Sequence, residues 1–157
     1  MSGDLPPHRA GVRGGDPGLQ ALYQEVVLDH NRHPRNCRAI EGGRQAEEYN
    51  AICGDRVTVY ARVEEGVIRD VSFLASGCAI VNASASLMTE TVAGLATADA
   101  RALADRFHRM IAAAPGAPIE DLGTLTALAG VRMFPIRIRC ATLSWEALRA
   151  ALAGSPE

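Results

Sequence analysis

Long apolar runs are missing from this sequence. No stretch reaches the roughly 18 consecutive apolar residues that a membrane-spanning helix needs. Met1–Gly18 contains no apolar core of a secretory signal. A surplus of either charge is missing too: 16 basic residues face 18 acidic ones, for a net charge of −2. That balance argues against a nucleic-acid surface and against a basic membrane-binding patch. Aromatic residues make up only 4% against 48% apolar overall, so the core has to be built from Ala, Leu, Val and Ile. Cysteines number four, at long and irregular spacing, which does not resemble a secreted disulfide framework. A reducing cytoplasm is the expected compartment, where the thiols stay free for metal or sulfur chemistry. With 157 residues the chain can bury a sizeable core without staples, and a single domain is expected.

What is present centres on Cys53-Gly54-Asp55. Along an extended backbone, residues two apart point to the same face. Gly54 also lets the chain bend without a Cβ penalty, so Cys53 and Asp55 can reach one ion. Cys78 and Cys140 follow at the boundaries of other elements. Three thiols and one carboxylate make a tetrahedral zinc shell. A lone cysteine is more often a small buried hydrophobe, but that reading would have to hold for all three boundary cysteines together.

Read in order, Met1–Gly15 has Pro6, Pro7 and few apolar residues, and is expected to be a disordered leader (1–15) before a folded unit at 16–153. Asp16-Pro17 signals a helix start, and Leu19, Leu22, Tyr23, Val26, Val27 and His30 keep helical spacing up to Pro34. Glu41-Gly42-Gly43 marks a turn, and Arg44–Asn50 reads as a short edge strand. Val57, Val59, Ala61 and Val63 alternate with polar residues, as in a half-buried strand, and Glu65-Gly66 is a hairpin turn leading to a return strand, Val67–Ala75. An antiparallel hairpin would bring Cys53 and Cys78 together at its open end. Helices are expected over Ala79–Leu95, over Ala98–Ala112 with Thr97 as its cap, over Ile119–Ala129 ended by Gly130, and over Ala141–Leu152. Residues 133–140 form an irregular approach. Cys78 and Cys140 would then stand at helix starts, where the dipole and free N–H groups favour a thiolate, and Arg137 and Arg139 add positive charge.

Other reactive side chains read more plainly. His30 and His33 fall at a helix C-terminus, where capping and packing explain them. Cys37 has no adjoining ligand and reads as a loop thiol, although a fourth cysteine ligand in place of Asp55 is an alternative. Ser84 and Ser86 lack a base and read as small residues for close packing. His108 falls on the solvated side of its helix.

Taken together, these residues resemble a known family. Leu22-Tyr23, Asp29-His30, Pro34-Arg35-Asn36, Cys53-Gly54-Asp55, Gly77-Cys78, Asn82-Ala83-Ser84-Ala85-Ser86 and Arg139-Cys140-Ala141-Thr142-Leu143-Ser144-Trp145 are similar to the iron–sulfur cluster assembly proteins of the IscU/NifU-N/SufU family. The resemblance covers about residues 19–153. Arg139 stands where IscU-like members carry His, and the stretch between Cys78 and Cys140 is long, as in SufU-like members. One departure is Asn50-Ala51-Ile52, where the family often has proline before the first cysteine, which leaves the stiffness of this loop to be explained.

The resemblance implies a compact α+β fold with a small antiparallel sheet of two to three strands packed against several helices. It implies zinc held by Cys53, Asp55, Cys78 and Cys140. It also implies a zinc-dependent sulfurtransferase that accepts persulfide sulfur from a SufS-type, PLP-dependent cysteine desulfurase and passes it to a downstream cluster scaffold. Cys53, in the glycine-containing loop, is the candidate sulfur acceptor, leaving the metal while a histidine of the desulfurase takes its position. Arg137 is a candidate persulfide or partner contact, against the plainer reading of a surface arginine. Two alternatives stand beside this: an IscU-like scaffold that assembles a [2Fe–2S] cluster on its cysteines, and a zinc-stabilised interaction module without chemistry.

Overall fold

The computed structural model describes residues 17–153. The expected leader and the Asp16 cap lie outside them. The elements run α1 (Pro17–Arg32), β1 (Arg44–Asn50), β2 (Asp55–Glu64), β3 (Val67–Ser76), α2 (Ala79–Val92), α3 (Thr97–Ala112), a 3₁₀ run (Gly123–Met133), a 3₁₀ turn (Pro135–Arg137) and α4 (Ile138–Ala153). This is an α+β architecture.

The strands form one antiparallel sheet in the order β1-β2-β3. Val57, Val59 and Ala61 of β2 are buried, and the residues between them are partly or fully exposed, so the alternation in sequence marks a single covered face. Glu65 and Gly66 both have positive φ, 54° and 76°, the backbone of a two-residue hairpin turn whose twist matches the strands. The register slips between Arg62 and Val63, which gives β3 one extra residue, Arg69. This explains why Ile68 and Val71, three residues apart, are both buried.

α4 lies across β1 and β2, α2 packs on β3 and α4, and α1 packs on α2 and the 3₁₀ run. Small residues on α2, including Ala83, Ser84, Ala85 and Ser86, are fully buried and let these helices approach. Phe107 stacks on Trp145, with ring centroids 4.7 Å apart, and joins α3 to α4. The C-terminal end of α4 is held by Arg44 and Arg101, which both donate to the carbonyl of Leu152.

Several boundaries differ from the sequence reading. α2 ends at Val92 rather than Leu95, because the chain turns at Gly94, whose φ of 87° suits glycine. Thr97 is the first residue of α3, and the N-cap is Ala96, without a side-chain cap. In place of an α-helix ended by Gly130, a 3₁₀ run extends to Met133. Gly130 lies inside it because a Cβ there would meet Tyr23 at 2.7 Å. Its glycine is a close-packing residue rather than a stop signal.

Candidate metal centre

Asn50 pairs with Asp55, and Arg56 with Ser76, so the open end of the sheet sets the Cys53 loop beside the start of α2. The loop is a turn rather than an extended strand. Gly54 has φ of 77°, and its N–H donates to the carbonyl of Asn50 at 2.7 Å. This bend, rather than strand alternation, brings Cys53 over Asp55. α4 begins at Ile138, three residues earlier than expected, which sets Cys140 in its first turn instead of ahead of it.

The donor atoms of Cys53, Asp55 and Cys140 all lie within 4.8 Å of one another. Cys53 is exposed, whereas Asp55 and Cys140 are buried. Cys78, at the N-cap of α2 and partly buried, is outside that compact trio, but it adjoins Asp55: its backbone N–H donates to Asp55 Oδ1 at 3.2 Å. The other carboxylate oxygen, Oδ2, accepts from the Cys140 thiol at 3.2 Å and from Asn50 Nδ2 at 3.4 Å. Asp55 is therefore the hub around which the three cysteines gather. Two thiols and a carboxylate, with a third thiol alongside, match the soft and hard donors that zinc accepts.

The Cys140 thiol does not follow the helix-start expectation. Its pKa is raised, first by burial, then by the hydrogen bond to Asp55 and by the neighbouring Cys78. A helix N-terminus is worth about 1 kcal/mol to an anion, whereas full desolvation can shift a pKa by several units. Burial outweighs the helix dipole and pushes the Cys140 thiol up. Tyr23, stacked on Phe134, is pushed up to about 12, chiefly by burial; Arg137 opposes that shift, and Cys78 and Cys140 add to it.

The remaining candidates separate clearly. Arg137 is exposed on the 3₁₀ turn. Arg139 turns toward β1 and its own helix, bonding Glu146 at 2.5 Å and the carbonyl of Tyr49 at 3.4 Å. Cys37 is exposed and bridges to Phe73 of β3 through its backbone, away from the trio. His33 and His108 are exposed. His30 and Ser86 are more than packing residues. His30 Nδ1 and Ser86 Oγ are 2.7 Å apart, and Ser86 Oγ also accepts from the backbone N–H of Arg35 at 2.8 Å. Ser84 donates to the carbonyl of Ala141 at 2.5 Å and so fixes the first turn of α4 against α2. The sequence reading missed Asn50 and Gly77. An Asn that caps the backbone two residues on is a recognisable local signal.

The sequence matches the family described as NifU-like N terminal domain over residues 22–154. The chain belongs to this family. Among its relatives, the iron–sulfur cluster assembly scaffold protein IscU of Streptococcus pyogenes serotype M1 is 38% identical over 134 residues, 85% of this chain and 84% of that protein. The zinc-dependent sulfurtransferase SufU of Bacillus subtilis is 36% identical over 135 residues, 86% of this chain and 92% of that protein. A solved structure of similar fold is the putative iron–sulfur cluster assembly scaffold protein for the SUF system of Fervidobacterium islandicum. Its TM-score is 0.76 at 29% identity, covering 85% of this chain and 98% of that one. This member of the IscU/SufU cluster-assembly family keeps the α+β fold, and none of its described helices is long and apolar enough to cross a membrane.

Proposed function

We propose that this chain is a zinc-dependent sulfurtransferase of iron–sulfur cluster assembly, taking sulfur from a SufS-type cysteine desulfurase and delivering it to a cluster scaffold. The observation that supports this best is an exposed thiol, Cys53, gathered with a buried thiol and carboxylate on a turn at the molecular surface. Cys53, Asp55, Cys78 and Cys140 would hold the ion. Bound zinc would keep the thiols deprotonated at neutral pH, which the buried Cys140 needs most.

In the transfer, the Cys53 thiolate attacks the outer sulfur of the desulfurase persulfide. A new S–S bond forms on Cys53, the S–S bond on the desulfurase breaks, and the desulfurase cysteine leaves as a thiolate, so the exchange is redox-neutral. Ile52, 82% exposed beside Cys53, and the exposed Arg137 are in reach of a docked partner. Arg139 immediately precedes Cys140 and is held by Glu146, so it offers no ligand for a cluster. That favours a carrier over a scaffold, although the 38% identical streptococcal relative is named a scaffold.

The test is alanine formation by a SufS-type desulfurase supplied with cysteine. This chain is expected to raise turnover, Cys53→Ser to abolish the rise, and mass spectrometry to find one added sulfur on Cys53. A wild-type chain that gives no stimulation but assembles a stable cluster from iron and sulfide supports the scaffold. Zinc binding with neither activity supports a structural module.

A further inference from the structure

The loop before Cys53 lacks the proline that would stiffen it, yet its backbone is not left unsupported. Asn50 is only 4% exposed and makes three contacts, each aimed at the site. Its side-chain Oδ1 accepts from the N–H of Ile52 at 3.2 Å, closing a turn around Ala51. Its backbone carbonyl accepts from the N–H of Gly54 at 2.7 Å, which fixes the chain on the far side of Cys53. Its Nδ2 donates to Asp55 Oδ2 at 3.4 Å, the same oxygen that receives the Cys140 thiol. Asn50 and Asp55 also face each other as the last paired residues of β1 and β2.

We infer that Asn50 is a positioning residue of the metal centre, which holds the Cys53 loop with one side-chain atom and orients the Asp55 carboxylate with the other. It does so from β1, an element that contributes no ligand of its own. Its side chain ties the loop to the carboxylate with two hydrogen bonds, one to the Ile52 amide and one to Asp55. Groups that orient a ligating carboxylate contribute roughly 10- to 100-fold to metal affinity.

The inference rests on the zinc-binding part of the proposed function, and the two fail separately. The probe is zinc alone, titrated into the full chain against a chromophoric chelator, with cobalt(II) spectra as a second readout of the donor geometry. Asn50→Ala is expected to weaken zinc roughly 10- to 100-fold and to change the cobalt d–d bands. Asn50→Ser keeps an acceptor for the Ile52 amide but is too short for Asp55, so it is expected to weaken zinc while protecting Ile52. It also serves if Asn50→Ala does not fold. Asn31→Ala, an exposed residue of α1, is expected to match wild type. Wild-type affinity and unchanged cobalt bands in Asn50→Ala, or in Asn50→Ser where only that variant folds, overturn the inference. A wild type that binds zinc tightly but never stimulates a desulfurase sinks the sulfurtransferase reading and leaves Asn50 standing. If the wild type takes up no zinc, hydrogen exchange in the metal-free chain decides. Ile52 exchange about fivefold faster in Asn50→Ala supports the positioning role, and equal exchange overturns it.

Discussion

Asp55 can serve as a hub only because Gly77 makes room for it. A Cβ at Gly77 would lie 2.7 Å from Asp55 Oδ1 and 3.2 Å from its Cβ and Cγ. Carbon that close to a short, triply bonded side chain has to displace it. Gly77→Ala is therefore expected to move the carboxylate off the Cys78 amide and the Cys140 thiol, and to lower zinc affinity by about tenfold or more in a chelator competition. An unchanged affinity would mean that the carboxylate is not needed where it sits. The gathering of Cys53, Asp55 and Cys140 was legible in the sequence because thiols and a carboxylate stood at element boundaries. Gly77 was not, since its role depends on where the Asp55 side chain passes, and of Asn50 only the local turn could have been read, not its reach to Asp55. The ionisation of Cys140 was misread for a related reason: sequence marks the helix start, but only packing reveals the burial that outweighs it.

At the scale of elements, the strands were legible to within a residue because alternation and a two-residue turn leave little freedom. The segment from Ile119 to Cys140 was not, because 3₁₀ geometry has no distinctive apolar period, and Gly130 looked like punctuation when it was a contact with Tyr23. The joint between α1 and α2 adds a pH dependence. His30 is buried against Ser86, and its pKa is lowered, mainly by burial and further by Arg35, with Glu90 opposing. The unfolded chain takes up the imidazole proton near the ordinary value of about 6.5, before the folded chain does. Stability is thus fully present above that pH and falls as the pH drops toward the lower folded-state value. Melting temperatures of the zinc-free chain between pH 7.5 and 5 are expected to show this loss. His30→Asn, which keeps a hydrogen-bonding atom near Ser86 and cannot ionise, is expected to flatten it. A slope identical to wild type would assign the loss to other groups.

Across the whole molecule, the candidate ligands join the sheet to α2 and to α4. A metal bound only by the folded chain stabilises it by mass action, by about 2.7 kcal/mol at a hundredfold excess over Kd. For a chain of this size, that corresponds to a fall in melting temperature of roughly 5 to 10 °C when a chelator removes the zinc. Cys37→Ser is expected to keep this difference and Cys140→Ser to lose it. Superimposable melting curves with and without chelator would show that the metal does not bridge these elements.

The hydrogen bond from Cys140 to Asp55 spans 85 residues of sequence. During translation, the sheet with its Cys53 turn leaves the ribosome before α2 with Cys78, and α4 with Cys140 comes after both. Until α4 emerges, a nascent chain can offer a metal only a partial set of donors. Under the proposed ligand set, capture by all four donors would wait until the last described helix has docked, and a loaded centre would certify a chain that has finished folding.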